Sequence, residues 1–221
     1  MDSFPGGFCI SRRRKRPPSP SFESNLRKMI VKRKATRLRS ENIGVIGAEF
    51  SGRNTLVRRF LNMSEGPFDR PEDQKYSRRS VLVELSNRPN IRQAETVKLE
   101  VYILNARSRS YENFCQFIPN LKSIAMIFDV RYERTLNIAI SCMNRIRQQL
   151  EDSPPPPFIM IGNKIDLEVL SFNALISIRE TARDCGAEKY YECSALNNTN
   201  VDPVLDAILL LTFFPGRPLP R

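Results

Sequence analysis

The segment GAEFSGRN has the spacing of a loop that binds phosphate. Gly47 and Gly52 fill the two glycine positions of the pattern G-x-x-x-x-G-K-[ST], in which backbone N–H groups surround phosphate oxygens. Arg53 stands where that pattern has lysine, and Asn54 stands where it has a hydroxyl that binds magnesium. The glycine spacing therefore still predicts a phosphate loop, although the lysine and hydroxyl positions of the pattern have changed. We assign this candidate loop to Gly47, Glu49, Phe50, Ser51, Gly52, Arg53, Asn54 and Thr55.

Two later motifs follow directly after apolar runs. Their residues are Asn163, Lys164 and Asp166 in NKID, and Ser194, Ala195 and Leu196 in ECSAL. In an open α/β sheet, ligands bind at the edge where the parallel strands end. If the apolar runs are parallel strands, the phosphate loop and both later motifs meet at one edge.

The elements that position these motifs alternate from residue 41 onward. Short β-rich runs predict strands at Ile43–Ile46, Ser80–Leu85, Val97–Leu104, Ile124–Val130, Phe158–Ile161 and Lys189–Glu192. Helical periodicity predicts helices at Arg53–Asn62, Tyr111–Phe117, Glu133–Gln149, Ser171–Asp184 and Pro203–Thr212, the last with Asp202 as its N-cap. The second and third strands leave no room for a helix between them, so we expect an antiparallel hairpin at a sheet edge. The rest predicts βα units and a parallel sheet.

The composition excludes several kinds of site. The chain of 221 residues has no histidine, which excludes Ser-His-Asp and Cys-His catalysis and histidine-bound zinc. Its five cysteines lack paired metal-ligand spacing, and no apolar run reaches the roughly 18 residues of a membrane span. Since no secretory signal pattern occurs, we expect a cytoplasmic protein, peripheral at a membrane if its basic segment binds one, with the nucleus as the alternative.

Most of the positive charge lies in the first 40 residues. Twelve lysines and arginines stand there against two acidic residues, which supplies ten of the eleven net positive charges. The segment RRRKRPPSPS is too polar and proline-rich to bury surface, so we interpret residues 1–40 as a basic, largely disordered extension. Residues 41–214 then form the domain, and residues 215–221 form a short tail. We expect the extension to contact anionic membranes, whereas the nearly neutral domain argues against nucleic acid.

The order of the motifs gives the chain a family resemblance. A phosphate loop, a hairpin, a third strand entering a switch segment, IFDV, NKID and ECSAL follow one another. In this order the sequence resembles a Ras-superfamily small GTPase from Glu41 to about Phe214. The resemblance implies an α/β fold, a three-layer P-loop NTPase domain whose mostly parallel six-stranded sheet has helices on both faces. NKID is similar to the Ras and Rab branches and ECSAL to the Rho branch, so the branch stays open.

The resemblance implies that the two later motifs recognise guanine. Asp166 would accept the two N–H groups on the Watson–Crick edge of the base, and Asn163 would bond the base and connect the loops. Lys164 would lay its aliphatic stem over the base. The N–H of Ala195 would meet the guanine oxygen while Ser194 orients the loop. Such polar contacts reject the wrong base, because mispairing leaves buried groups unsatisfied.

The phosphate and hydrolysis end departs from the family pattern. Arg53 keeps the positive charge but not the compact ammonium, and Glu49 would bring a carboxylate toward the phosphates. Asn54 is the counterpart of the first magnesium ligand, and an amide oxygen is a poorer ligand for Mg²⁺ than the hydroxyl it replaces. Where the family has D-x-x-G followed by glutamine, the chain has Asn105, Ser108 and Arg109. We therefore assign no catalytic residue for hydrolysis.

The resulting interpretation is a divergent, pseudoGTPase-like domain that binds GTP or GDP, hydrolyses GTP weakly or not at all, and acts in signalling. Effector or regulator proteins are its expected partners, and a monomer is its expected state. One alternative is a functional GTPase switch that uses Arg53 and Asn54 in unusual ways. The other is a nucleotide-free interaction scaffold in which Glu49 and Phe50 fill the phosphate site.

Overall fold

The computed structural model describes residues 38–61, 77–88, 91, 95–106, 117–150 and 153–220. All of these residues belong to one compact unit, Leu38–Arg221. The described strands are β1 (Arg39–Gly47), β2 (Ser77–Glu84), β3 (Thr96–Asn105), β4 (Ser123–Asp129), β5 (Phe158–Asn163) and β6 (Lys189–Cys193). The described helices are α1 (Arg53–Phe60), α2 (Glu133–Leu150), α3 (Phe172–Asp184) and α4 (Val201–Phe213), with single 3-10 turns at Leu85–Asn87 and Ile118–Asn120.

The six strands form one sheet in the order β2-β3-β1-β4-β5-β6. β2 pairs antiparallel with β3 at one edge, and every other neighbouring pair is parallel, so the predicted hairpin and the mostly parallel sheet are confirmed. The registers place Gly47 beside Asn105, and place Asn163 between Asp129 and Cys193. The ends of five strands therefore share the edge at which the sequence places its motifs.

Two apolar clusters on opposite faces of the sheet produce three layers. Successive side chains of a strand point to opposite faces, and all seven residues of β4 are buried. Ala125 and Ile127 belong to the cluster that contains the apolar side chains of α1 and α4, whereas Met126 and Phe128 belong to the cluster of α2 and α3. The expected helices on both faces are thus confirmed. None of the described helices is long and apolar enough to cross a membrane.

Several element boundaries differ from the prediction by a few residues, β2 among them, which spans Ser77–Glu84 instead of Ser80–Leu85, and two of the differences have a clear physical reason. β1 begins at Arg39 rather than Ile43, because its polar first residues pair with the start of β3, and an apolar pattern does not reveal such a ladder. α4 begins at Val201, so the prediction of Asp202 as its N-cap is wrong. The carboxylate of Asp202 instead accepts a hydrogen bond of 2.7 Å from Arg88, which lies between β2 and β3.

Two further helix predictions are affected by the range of described residues. α1 ends at Phe60, two residues before the predicted Asn62, and residue 62 lies outside the described part of the chain. The helix predicted at Tyr111–Phe117 also lies outside the described residues, apart from Phe117 itself, which occupies a turn.

The residues Phe214–Pro220, which we call the C-terminal strap, fold back against the domain. Leu219 packs against the cluster on the α1 and α4 face. The carbonyl oxygen of Pro220 accepts a hydrogen bond of 2.8 Å from the Tyr191 hydroxyl and another from the ammonium of Lys189. Burial raises the pKa of Tyr191 to about 12. The short tail expected from the sequence is therefore packed against β6.

Candidate functional site

The phosphate loop lies between β1 and α1, and close packing requires both of its glycines. A Cβ atom on Gly47 would lie 2.3 Å from the carbonyl oxygen of Ile127 in β4. Gly52 has a φ angle of +92°, and a Cβ atom there would lie 2.1 Å from Nδ2 of Asn163. No side chain fits at such distances, and glycine adopts this φ without steric cost. The spacing of the glycines therefore follows from the packing of the sheet edge itself.

Asn163 connects the phosphate loop to the loop that follows β6. Its side chain lies at the end of β5 and is 1 % exposed. Its Nδ2 donates a hydrogen bond of 2.9 Å to the carbonyl oxygen of Ser51, and its Oδ1 accepts one of 2.9 Å from the N–H of Ala195. One buried amide thus joins the three segments that the sequence places at this edge.

The loop Ser194–Asn200, called the β6 loop below, is held by its own hydrogen bonds. Ser194 is fully buried, and its hydroxyl oxygen accepts a hydrogen bond of 3.0 Å from the N–H of Asn197. Ser194 and Thr199 also exchange two backbone hydrogen bonds of 3.0 Å. Leu196 is half exposed at the surface of this loop. The Ser194 side chain therefore fixes the shape of the loop.

Asp166 lies in the tight turn that follows Asn163. The turn includes Lys164, whose φ of +72° is uncommon for a residue other than glycine. The N–H of Leu167 closes it with a hydrogen bond of 3.0 Å to the Lys164 carbonyl. The Asp166 carboxylate is exposed and makes no hydrogen bond or ion pair within the described part of the chain. It can therefore accept N–H groups from a ligand.

A comparison with protein families agrees with this arrangement. The family model described as the Ras family matches residues 43–212, which is more than three-quarters of the chain. The chain belongs to the Ras family. The resemblance and the three-layer α/β fold inferred from the sequence are both confirmed. Ras-family domains are small GTPase-like nucleotide-binding domains, and they generally bind GTP or GDP with Mg²⁺ together with effector or regulator proteins.

In this Ras-family domain, Lys164 is held by a carboxylate that the sequence analysis did not assign. Asp129 ends β4 and is 2 % exposed, and its Oδ2 lies 2.8 Å from Nζ of Lys164. The guanidinium of Arg131 donates to both carboxylate oxygens, at 3.0 and 2.8 Å. Burial alone would raise the pKa of Asp129, but the hydrogen bonds from Arg131 and Lys164 outweigh it and hold that pKa below its ordinary value. The sequence signal that could have identified Asp129 is an acidic residue directly after the apolar run IAMIF.

The phosphate end of this Ras-family domain carries the side chains of Glu49, Phe50 and Arg53. Arg53 begins α1, and its guanidinium donates a hydrogen bond to the carbonyl oxygen of Leu104 in β3. This contact with the sheet uses part of the donor capacity of Arg53. Glu49 is exposed, and the Phe50 side chain is 83 % exposed. Phe50 therefore does not fill the phosphate loop, and the structural basis suggested for the scaffold alternative is wrong at this residue.

Asn54 is the residue that the sequence aligns with the first magnesium ligand of the family pattern. Asn54 lies half-buried in the first turn of α1 and offers a neutral amide oxygen. The next residue, Thr55, is turned by about 100° around the helix axis, so its hydroxyl does not take the same place. Within the described residues, no group of three or more His, Cys, Asp or Glu side chains could hold a metal ion.

The segment aligned with D-x-x-G and glutamine is described only at its start. Asn105 is the last residue of β3 and pairs with Gly47, so it stands beside the phosphate loop. Ser108 and Arg109 lie outside the described residues, and their assignment to this motif stays a prediction. The alignment of Asn105 with the aspartate of the family pattern likewise stays a prediction.

Arg59 of α1 is a second residue that the sequence analysis did not assign. Its Nε donates a hydrogen bond of 2.8 Å to the carbonyl oxygen of Ala195, and its Nη2 donates one to the carbonyl oxygen of Leu196. No local sequence pattern distinguishes this arginine, because a charged residue in an amphipathic helix is ordinarily assigned to the solvated face. The contact joins residues 136 positions apart in the chain, so only the fold reveals it.

Proposed function

We propose that this chain is a divergent small GTPase domain that binds GDP or GTP through its base end and hydrolyses GTP weakly or not at all. The observation that carries the proposal is the pair of hydrogen bonds made by the Asn163 side chain, which links the phosphate loop to the β6 loop. A site whose loops are already joined loses less conformational freedom when a ligand binds. The biological effect would then depend on signalling partners that recognise the nucleotide-bound surface.

Guanine would be selected by the exposed carboxylate of Asp166. A carboxylate accepts hydrogen bonds from both N1–H and the 2-amino group of guanine, whereas adenine has no matching pair of donors. Lys164 would cover the base with its aliphatic stem while its ammonium stays paired with Asp129. The N–H of Ala195 would serve the guanine oxygen as a shared donor, because it also bonds Asn163.

Weak hydrolysis is proposed from the chemistry of the phosphate end. Phosphoryl transfer depends on cations that neutralise the developing charge and on a residue that positions the attacking water. Arg53 donates to the Leu104 carbonyl, and Asn54 and Asn105 offer amides in place of a hydroxyl and a carboxylate. We therefore expect Mg²⁺ to add little to nucleotide affinity in this chain.

Calorimetric titration of the full chain, stripped of nucleotide, tests this proposal. We expect GDP and GTP to bind, with dissociation constants that change by less than about tenfold when EDTA replaces Mg²⁺. Tight binding that requires Mg²⁺, together with measurable GTP turnover, would instead support the functional GTPase switch. If a folded sample binds neither nucleotide, the nucleotide-free interaction scaffold is the interpretation that remains.

The Asp166→Asn variant tests the base contact separately. An amide presents one acceptor and one donor, which matches xanthine, because a carbonyl replaces the 2-amino group of guanine there. We expect D166N to lose about 100-fold in GDP affinity and to gain affinity for xanthosine diphosphate. Asp184→Asn alters an exposed carboxylate of α3 and should change neither affinity. Unchanged GDP binding by D166N would refute the assignment of Asp166.

We also propose that the basic residues of the N-terminal extension that precede β1 contact anionic membranes from the cytoplasm, while the domain stays monomeric. Each basic residue near an anionic surface contributes about 1 kcal/mol, and salt screens this attraction. Sedimentation with phosphatidylserine-containing vesicles should therefore bring down the full chain at low salt and leave it in solution at high salt. Equal binding to neutral phosphatidylcholine vesicles would contradict an electrostatic contact.

A further inference from the structure

The backbone of Ala195 is held from two directions. Its N–H donates to Oδ1 of Asn163 at the end of β5, and its carbonyl oxygen accepts from Nε of Arg59 in α1. Ala195 is 1 % exposed, so water does not readily replace either partner. The next carbonyl, that of Leu196, accepts a hydrogen bond from Nη2 of the same guanidinium. A single arginine thus binds two consecutive peptide groups of the β6 loop.

The helix that carries Arg59 continues directly from the phosphate loop. Gly52 is its N-cap residue, and the Gly52 carbonyl accepts the first helical hydrogen bond, of 2.9 Å, from the N–H of Leu56. The planar guanidinium presents its donors in a fixed fork, so two bonds to neighbouring carbonyls restrict the direction of the loop more than one ammonium contact would. Movement of the β6 loop away from α1 must break both bonds.

We propose that Arg59 is a positioning residue that sets how long bound nucleotide is retained. It does so by holding the β6 loop against the helix that follows the phosphate loop. The inference rests on the proposed function, since the retained ligand is a guanine nucleotide. Asn163 fixes the loop from the β5 side, and Arg59 fixes it from the α1 side. A nucleotide bound between the two loops leaves faster when the second attachment is removed.

Amide hydrogen exchange of the nucleotide-free full chain tests the attachment without any ligand. In Arg59→Ala, we expect the backbone amides of the β6 loop to exchange about tenfold faster, because two charge-assisted hydrogen bonds are lost. The amides of β4, which lie in the centre of the sheet, should keep their rates. Arg58→Ala is the matched control, because it removes the same charge from the same helix one residue away. Equal acceleration throughout the domain would show a loss of global stability and would overturn the positioning role.

The release of fluorescent GDP into excess unlabelled GDP tests the consequence. Arg59→Ala should release GDP about tenfold faster than wild type, Arg59→Lys should lie between the two, and Arg58→Ala should match wild type. If Arg59→Ala does not fold, Arg59→Lys decides the question through both measurements. Faster exchange of the β6 loop with unchanged GDP release would overturn the inference and leave the proposed function intact. A wild-type chain that binds no GDP would overturn the proposed function and the retention role together, while the exchange rates would still report whether Arg59 holds the loop.

Discussion

The side-chain amide of Asn163 and the carbonyl oxygen of Ser51 are joined by a buried hydrogen bond of 2.9 Å, across 112 positions of the chain. This bond runs from the end of β5 to the phosphate loop. The base end and the phosphate end of the site are therefore parts of one hydrogen-bonded unit. Their relative position is therefore held by a contact within the folded chain itself.

Removing the Asn163 amide should destabilise the domain. We expect Asn163→Ala to lower the free energy of unfolding by about 2–4 kcal/mol, because the Ser51 carbonyl and the Ala195 N–H both lose a buried partner. Urea unfolding followed by circular dichroism measures the change. Asn137→Ala, at an exposed position of α2, is the control and should shift it by less than about 0.5 kcal/mol. A similarly small effect of Asn163→Ala would show that the bridge adds no stability.

Gly52→Ala should be far more damaging than the same change at Gly216. Both glycines have positive φ, +92° and +86°, but a Cβ atom at Gly216 meets nothing within 4 Å, whereas one at Gly52 meets Asn163. We expect a loss of about 1 kcal/mol at Gly216 from backbone strain alone, and about 2–4 kcal/mol at Gly52 from strain and collision together. Equal losses in urea unfolding would mean that the approach to Asn163 is unimportant.

The double variant Gly52→Ala with Asn163→Ala separates the two causes. Truncating Asn163 removes the atom that collides with the new methyl group. The losses of the two single variants should therefore not add, and the double variant should be more stable than their sum implies. Full additivity would contradict a steric cause.

Asp129→Asn should destabilise the domain in a pH-dependent way. The folded-state pKa of Asp129 lies below its ordinary value of 3.8, so the ionised carboxylate stabilises the fold above that pH, and the contribution is lost as pH falls through the lowered pKa. We expect a loss of about 2–3 kcal/mol at pH 7, less than for a fully buried pair, because the Arg131 and Lys164 side chains are 28 % and 22 % exposed.

Urea unfolding at pH 7 and at a series of pH values below 3.8 measures this difference between wild type and D129N. The difference should shrink as the pH falls, because wild-type Asp129 then becomes neutral as well. Asp184→Asn is the control, since its pair with Arg183 spans 3.5 Å between side chains that are 72 % and 76 % exposed. A difference that stays constant with pH would rule out the ion pair as its cause.

Deletion of residues 215–221 should alter the titration of Tyr191. The hydroxyl of Tyr191 donates to Pro220, and burial raises its pKa to about 12. Without the C-terminal strap, water reaches the hydroxyl, so we expect the pKa to fall toward the ordinary value of about 10. The loss of Leu219 from the apolar cluster should also lower the free energy of unfolding by about 1–3 kcal/mol. Tyrosine NMR signals followed against pH report the titration, and Tyr132, which is 55 % exposed, is the internal control.

The sequence predicts best those features that leave a local pattern. β4 and β5 contain the apolar runs IAMIF and FIMI because the sheet buries both of their faces, and the order of the motifs along the chain predicts that the motifs meet at one edge. The polar start of β1 left no such pattern, since it is stabilised by pairing with β3. Asp202 resembles an N-cap in sequence, but its carboxylate bonds Arg88 across the fold. Arg59 was missed for the same reason, because its partners are distant in the chain.

The tight packing around Gly47 and Gly52 affects what a motif search can detect. Both positions exclude any side chain because of neighbouring atoms in β4 and β5, whatever the chain binds. A descendant that had lost all affinity for nucleotide would still keep them under selection for folding. Asp166 has an exposed carboxylate with no bond to the described part of the chain, so folding alone would let it mutate freely. Among close relatives, the fate of this aspartate would therefore record ligand binding, and the glycine spacing would not.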